Sequence, residues 1–166
     1  MHFSMTNKID CTVEKFWETF LDPKLTERLF KEALGFTEFR ILEQTETAST
    51  LRRRSAATPK MNWPGPVAKL FGDRFGYTEE ATFDKTTKVW TWKMTPSTLP
   101  EKLRHEGSVR VEPLGDASVL RIVDIVLEAK VFAIGGLVES AVEKQIRESW
   151  EKSATVTNAW LRAPPT

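Results

Sequence analysis

Apolar and polar residues alternate along most of this chain, and the alternation gives way to helical spacing in two regions. Residues 2–11 set Phe3, Met5 and Ile9 against Ser4, Thr6 and Lys8, which predicts a first strand. Thr12 stands where a helix N-cap belongs, ahead of VEKFWETFLD, in which Val13, Phe16, Trp17 and Phe20 follow helical spacing. Asp22-Pro23 ends that helix and opens a second, KLTERLFKEALG, with Leu25, Leu29 and Leu34 as its apolar stripe and Gly35 as its stop.

After Gly35 the period returns to two. FTEFRILEQTE puts Phe39 and Ile41 on one face and Arg40 and Leu42 on the other, and STLRRRSAAT supplies a partner strand. RFGYTEEATFD, KVWTWKM, LRHEGSVRVEP and SVLRIVDIVLEAKV continue the series, separated by turn signals at 84–86, 96–100 and 114–116. From Ile134 to Leu161 a long helical pattern runs without proline. Its apolar arc centres on Val138, Val142, Val156 and Trp160, and Gln145, Ser149 and Ser153 share that arc.

Consecutive strands with turn-length links imply an antiparallel sheet, and one long amphipathic helix must cover a face of it. The expectation is an α+β fold, a single domain over 1–166. A curved antiparallel sheet of about seven strands wraps around the C-terminal helix, with two short helices after the first strand. Such a sheet leaves a space beneath the helix.

Composition narrows the function. Net charge is +1, so no global field attracts nucleic acid. The single cysteine, Cys11, allows no internal disulfide, which suits a reducing, cytoplasmic setting. No signal peptide is apparent at the N-terminus, and AKVFAIGGLV is about half a membrane span. One cysteine and two distant histidines form no metal-ligand pattern, and no cofactor is expected. Six tryptophans and ten phenylalanines against one tyrosine supply large apolar rings, the material of cores and pocket walls.

The order of elements resembles the helix-grip fold of the START-like (SRPBCC) superfamily, which includes birch-pollen-allergen-like proteins and polyketide cyclases. Gly107 with VRVEP at 109–113 and the AIGGLVESAVEKQIRESWEKSATVTNAWL of 133–161 carry the likeness, with Ile134, Gly135, Gly136 and Glu139 at the helix start. They are most similar to a bacterial START-like family of unknown function. TPKMNWPGP, an acidic strand and KVWTWKM are more loosely similar to PRELI-type phospholipid transfer proteins. Both resemblances imply a cavity for a hydrophobic or lipid-like small molecule, bound or transferred. The alternative is a polyketide cyclase or hydrolase-type enzyme in the same cavity. Fold alone decides neither.

Candidate wall residues follow from alternation. Tyr77, the stripe Trp90 and Trp92, and His105 with Val109 lie on strand faces, and Val138, Val142, Gln145 and Ser149 lie on the helix arc. Each has a plainer alternative as core packing. A buried Gln145 needs a hydrogen-bond partner, which a ligand, a water or the protein itself supplies. His105, with Tyr77 or Glu79, is the acid–base candidate if the protein is an enzyme. Arg53 faces opposite Arg52 and Arg54. It either clamps an anion from inside or belongs to a solvated edge neutralised by Glu79 and Glu80, the simpler expectation. Arg121 and Asp124 fall on opposite faces of the most apolar strand.

The segment PKMNWPGPVAKLFG is stiff and apolar for a connection. Trp63 and Phe71 then form the lip of the cavity, with VAKLF as a lid. Alternatively, residues 61–71, flanked by Lys60, Lys69 and Arg74, make a transient membrane contact.

Overall fold

The computed structural model describes residues 1–72 and 74–166. The alternating segments form seven strands: β1 (His2–Ile9), β2 (Glu38–Glu46), β3 (Thr50–Thr58), β4 (Tyr77–Asp84), β5 (Val89–Pro96), β6 (Leu103–Leu114) and β7 (Ser118–Ala129). They make one sheet in the order β1-β7-β6-β5-β4-β3-β2, and every neighbouring pair is antiparallel. Because side chains alternate across a strand, one face of this sheet is buried and the other is polar.

The helices follow their end signals. Thr12 caps α1 (Val13–Leu21) by accepting from the Lys15 N–H at 3.2 Å. Asp22 caps α2 (Pro23–Arg28) by accepting from the Leu25 N–H at 2.9 Å, with Pro23 in the first turn. The second predicted helix is not regular throughout. After Arg28 it widens into a π turn, Leu29–Ala33, and stops at Gly35 with φ 70°. The VAKLF segment folds as α3 (Gly65–Phe71), and the long C-terminal helix is α4 (Gly135–Arg162).

α4 is tied to the sheet at both ends. Glu139 accepts from the Ala129 N–H at 2.9 Å, and Asn158 bridges the Lys8 carbonyl and the Asp10 N–H at 3.0 and 2.8 Å. Beneath it Val138, Val142, Ile146, Ser153 and Ala154 are buried, while Val156 and Trp160, expected at the centre of the apolar arc, are half-buried. Val109, Val119, Val123, Ile125 and Leu127 have no exposure at all. The densest packing therefore lies under α4 on β6 and β7. No helix among the described residues is long and apolar enough to cross a membrane.

Candidate ligand-binding cavity

A partly open cavity of about 200 Å³ lies between α4, the inward faces of β2–β7 and the α1–π-turn segment. Local chain geometry shapes each wall. On β5 the alternation turns Trp90, Trp92 and Met94 inward. Trp92 lies against Gly107 on β6. A Cβ at 107 would stand 2.6 Å from the Trp92 ring and 2.5 Å from the Asp124 carbonyl oxygen, so glycine is what allows the indole to lie there. On the helical side the π turn inserts an extra residue, and Leu29, Phe30 and Leu34 all line the cavity. Phe30 stacks on Phe39 at 4.1 Å and meets Phe36 edge-on at 4.9 Å, which builds an aromatic corner.

The polar groups on this floor follow the strand register. Ser55 pairs with Glu79, Glu79 with Met94, and Met94 with His105, so three polar side chains lie in one row across the sheet. Two strand steps separate Glu79 from His105, roughly 10 Å. Burial, partly offset by Arg53, raises the Glu79 carboxyl to about 7. What accessible surface it keeps is part of the cavity wall. Burial, followed by the charge of Glu79, also pushes the Tyr77 hydroxyl up. His105 has both ring nitrogens buried without a partner, and burial lowers it to about 4, so it is a neutral imidazole at pH 7. Its ring stands edge-on to Trp92 at 6.3 Å.

Two arginines reach this interior. Arg53, 6% exposed, donates to Gln44 Oε1 at 2.8 Å, Thr26 Oγ1 at 3.1 Å and the Leu21 carbonyl at 2.6 Å, and sits 5.3 Å above the Trp90 ring. This overturns the solvated-edge expectation. Arg53 is an interior clamp joining the two short helices to the sheet. Burial lowers its affinity for the proton, and Glu79 and Asp22 oppose that shift. Arg52 and Arg54 do face outward, in a wider, charged depression on the other face where Arg54 pairs with Glu80. Arg121 is buried under α4, while Asp124 faces out and pairs with Arg110 at 3.3 Å.

Of the residues singled out from sequence, Tyr77, Trp90, Trp92, His105, Val142, Gln145 and Ser149 line the cavity. Gln145 finds a partner within its own helix, a long 3.4 Å bond to Ser149 Oγ. Val109 and Val138 are fully buried core and lie outside the lining, because their neighbours close over them. Trp63 and Phe71 also lie outside it. They stack on each other at 5.2 Å and meet the cavity-lining Phe75 edge-on at 5.5 and 5.4 Å, one layer behind the wall. Val67 and Phe71 are buried, so the apolar face of this segment packs against the protein.

Sequence reasoning missed Phe16, Phe20, Phe30, Phe36 and Phe75 as lining residues. The helical stripe at 16 and 20 was visible, but its target was not. The π turn that aims Phe30 has no sequence signature. Among the described residues no cluster of three His, Cys, Asp or Glu side chains is placed to hold a metal ion.

A seven-stranded antiparallel sheet packed on a long C-terminal helix is a helix-grip fold, and solved structures share it. A protein from Thermus thermophilus is 17% identical, with TM-score 0.72 and both chains covered in full. The Zhui aromatase/cyclase from a Streptomyces species is 14% identical, with TM-score 0.67 over 98% of this chain and 96% of that one. A START superfamily protein from Mycobacterium smegmatis is 17% identical, with TM-score 0.61 over 95% and 94%. At these identities the likeness shows fold. The chain belongs to the family described as protein of unknown function DUF2505, which it matches over residues 4–161. A search of curated proteins found no match.

Proposed function

We propose that this protein binds a compact hydrophobic small molecule in the cavity beneath α4. The observation that carries this reading is a hollow lined mainly by aromatic and aliphatic side chains, with a few polar groups on its wall, among them His105, whose two ring nitrogens find no partner in the protein. That combination is what a small-molecule site requires: apolar area for affinity and a few fixed polar groups for orientation. Size sharpens it. About 200 Å³ is below the roughly 300–1,000 Å³ of sites for drug-sized ligands. One or two fused rings suit that space better than a two-chain phospholipid.

Catalysis on the bound molecule is a second reading, favoured by one observation. Glu79 titrates near 7 and faces the same cavity as Tyr77 and His105. A carboxyl poised near the working pH is suited to moving a proton. His105, lowered to about 4, is a poor base, so the acid–base role falls to Glu79 rather than to the imidazole expected from sequence.

Native mass spectrometry of gently purified protein, with solvent extraction and titration by N-phenyl-1-naphthylamine, tests the binding reading. A small apolar adduct or saturable 1:1 uptake of the probe is expected. Bare protein with no uptake contradicts it. An extracted compound that returns altered after incubation with wild type, and unaltered with Glu79→Gln, moves the assignment to catalysis.

A further inference from the structure

Arg121 lies on β7 beneath α4 and is 2% exposed. It donates to Ser153 Oγ at 3.0 Å, Asn7 Oδ1 at 2.8 Å and the Trp150 carbonyl at 2.7 Å. All three acceptors are neutral. Three of the five guanidinium N–H groups are used in this way, and the Nε–H is buried with no partner. The Trp150 ring lies 4.8 Å from the guanidinium carbon and offsets part of the charge. No carboxylate among the described residues does.

Arg53 differs in this respect, because Glu79 shares its surroundings. Around the cavity the charged side chains are Arg53, Arg121 and Glu79, while His105 is neutral. With Glu79 ionised, the wall carries one positive charge in excess. A buried charge without a counter-ion is costly, and a site that keeps one is matched to a ligand that supplies the other sign.

Building on the binding reading above, we infer that the ligand is an aromatic monocarboxylate whose carboxylate lies at the Arg121 end of the cavity, against Trp150. The ring system follows from the neighbours: Trp150 and Trp92 stand 5.8 Å apart at this end, and both line the cavity. The single charge follows from Arg121 itself, one cation without a counter-ion, and from the two N–H groups that remain. A phosphate monoester brings nearly two charges and three acceptor oxygens, more than this end can satisfy. Burial lowers Arg121 only to about 9, so it remains a cation at neutral pH.

The experiment is calorimetric titration with 2-naphthoate and 2-naphthamide, which share a ring system and differ in charge. Wild type is expected to bind the carboxylate tighter by about tenfold or more, the scale of one charge-assisted hydrogen bond. In Arg121→Gln the two ligands are expected to converge, because the charge that distinguishes the carboxylate from the amide is gone. Where that variant does not fold, Arg121→Lys, which keeps the charge and loses the guanidinium fork, takes its place and is expected to weaken the preference for the carboxylate. Equal affinities in wild type, or a preference that survives in a folded Arg121→Gln, overturn the inference and leave the cavity reading standing. No binding of either ligand, nor of N-phenyl-1-naphthylamine, removes both.

Discussion

The two halves of the concave face are built from different side chains, and only one half is solid. On β6, β7 and β1, Val109, Val119, Val123, Ile125, Leu127 and Ile9 are fully buried. On β2–β5 the buried side chains keep 3–6% exposure, and they mix large rings (Phe39, Phe83, Trp90 and Trp92) with small residues (Ser55, Ala57 and Ala81). Branched aliphatic side chains interdigitate closely on a pleated surface. Rigid rings mixed with small neighbours do so less readily, and Phe39, Ser55, Trp90 and Trp92 from this half line the cavity. The fold is held by one half, and the other half is free to serve a ligand.

Matched truncations in one register row break or sharpen this contrast most strongly. Leu127 and Met94 both flank His105, one in the solid half and one on the cavity wall. Leu127→Ala is expected to cost about 3–4 kcal/mol in urea unfolding, because it opens a void among close-packed neighbours. Met94→Ala is expected to cost about 1–2 kcal/mol, because part of its surface already lacks contacts. Equal losses would mean that the two halves are packed alike.

A somewhat smaller effect concerns the titratable row of the hollow half. Glu79 is raised from 4.5 to about 7, so the folded protein holds that proton more tightly than the unfolded chain. Its contribution is complete below pH 4.5 and is lost as pH rises through 7. His105 is lowered from 6.5 to about 4, so its contribution is complete above 6.5 and is lost as pH falls through 4. The two slopes oppose each other between 4.5 and 6.5 and nearly cancel in wild type. Glu79→Gln is expected to unmask stability that rises from pH 4 to 6.5, and His105→Phe stability that falls from 4.5 to 7. Each change is at most about 3 kcal/mol, read from urea midpoints across the pH range. Variants with the flat wild-type profile would show that neither group is desolvated as described.

The sequence made the solid half easier to read than the hollow one, for physical reasons. A strand with one buried face alternates in pattern, so the shared face of Trp90, Trp92 and Met94, and the opposition of Arg53 to Arg52 and Arg54, were visible residue by residue. Helix ends carry local chemistry, so Thr12, Asp22-Pro23 and Gly35 marked their places. Which inward side chains meet open space depends on what stands opposite. Val109 and Val138 have the same pattern as Trp92 and Val142 and yet are closed over. The π turn that points Phe30 at the cavity, and the bulge between Ile41 and Glu43 that lets Gln44 meet Arg53, change register without a residue that announces it. Arg53 was expected at a solvated edge because charge patterning records its acidic neighbours and not the helices that fold over it.

The tryptophans allow the most direct test that the hollow half is a binding site. Of the six, Trp90, Trp92, Trp150 and Trp160 line the cavity, while Trp17 and Trp63 lie behind its wall. In a ¹H–¹⁵N spectrum titrated with 2-naphthoate or N-phenyl-1-naphthylamine, the four lining indole N–H signals are expected to move in a saturable way. Those of Trp17 and Trp63 are expected to stay nearly fixed. Six unmoved signals, or shifts confined to Trp17 and Trp63, would contradict a ligand site beneath α4.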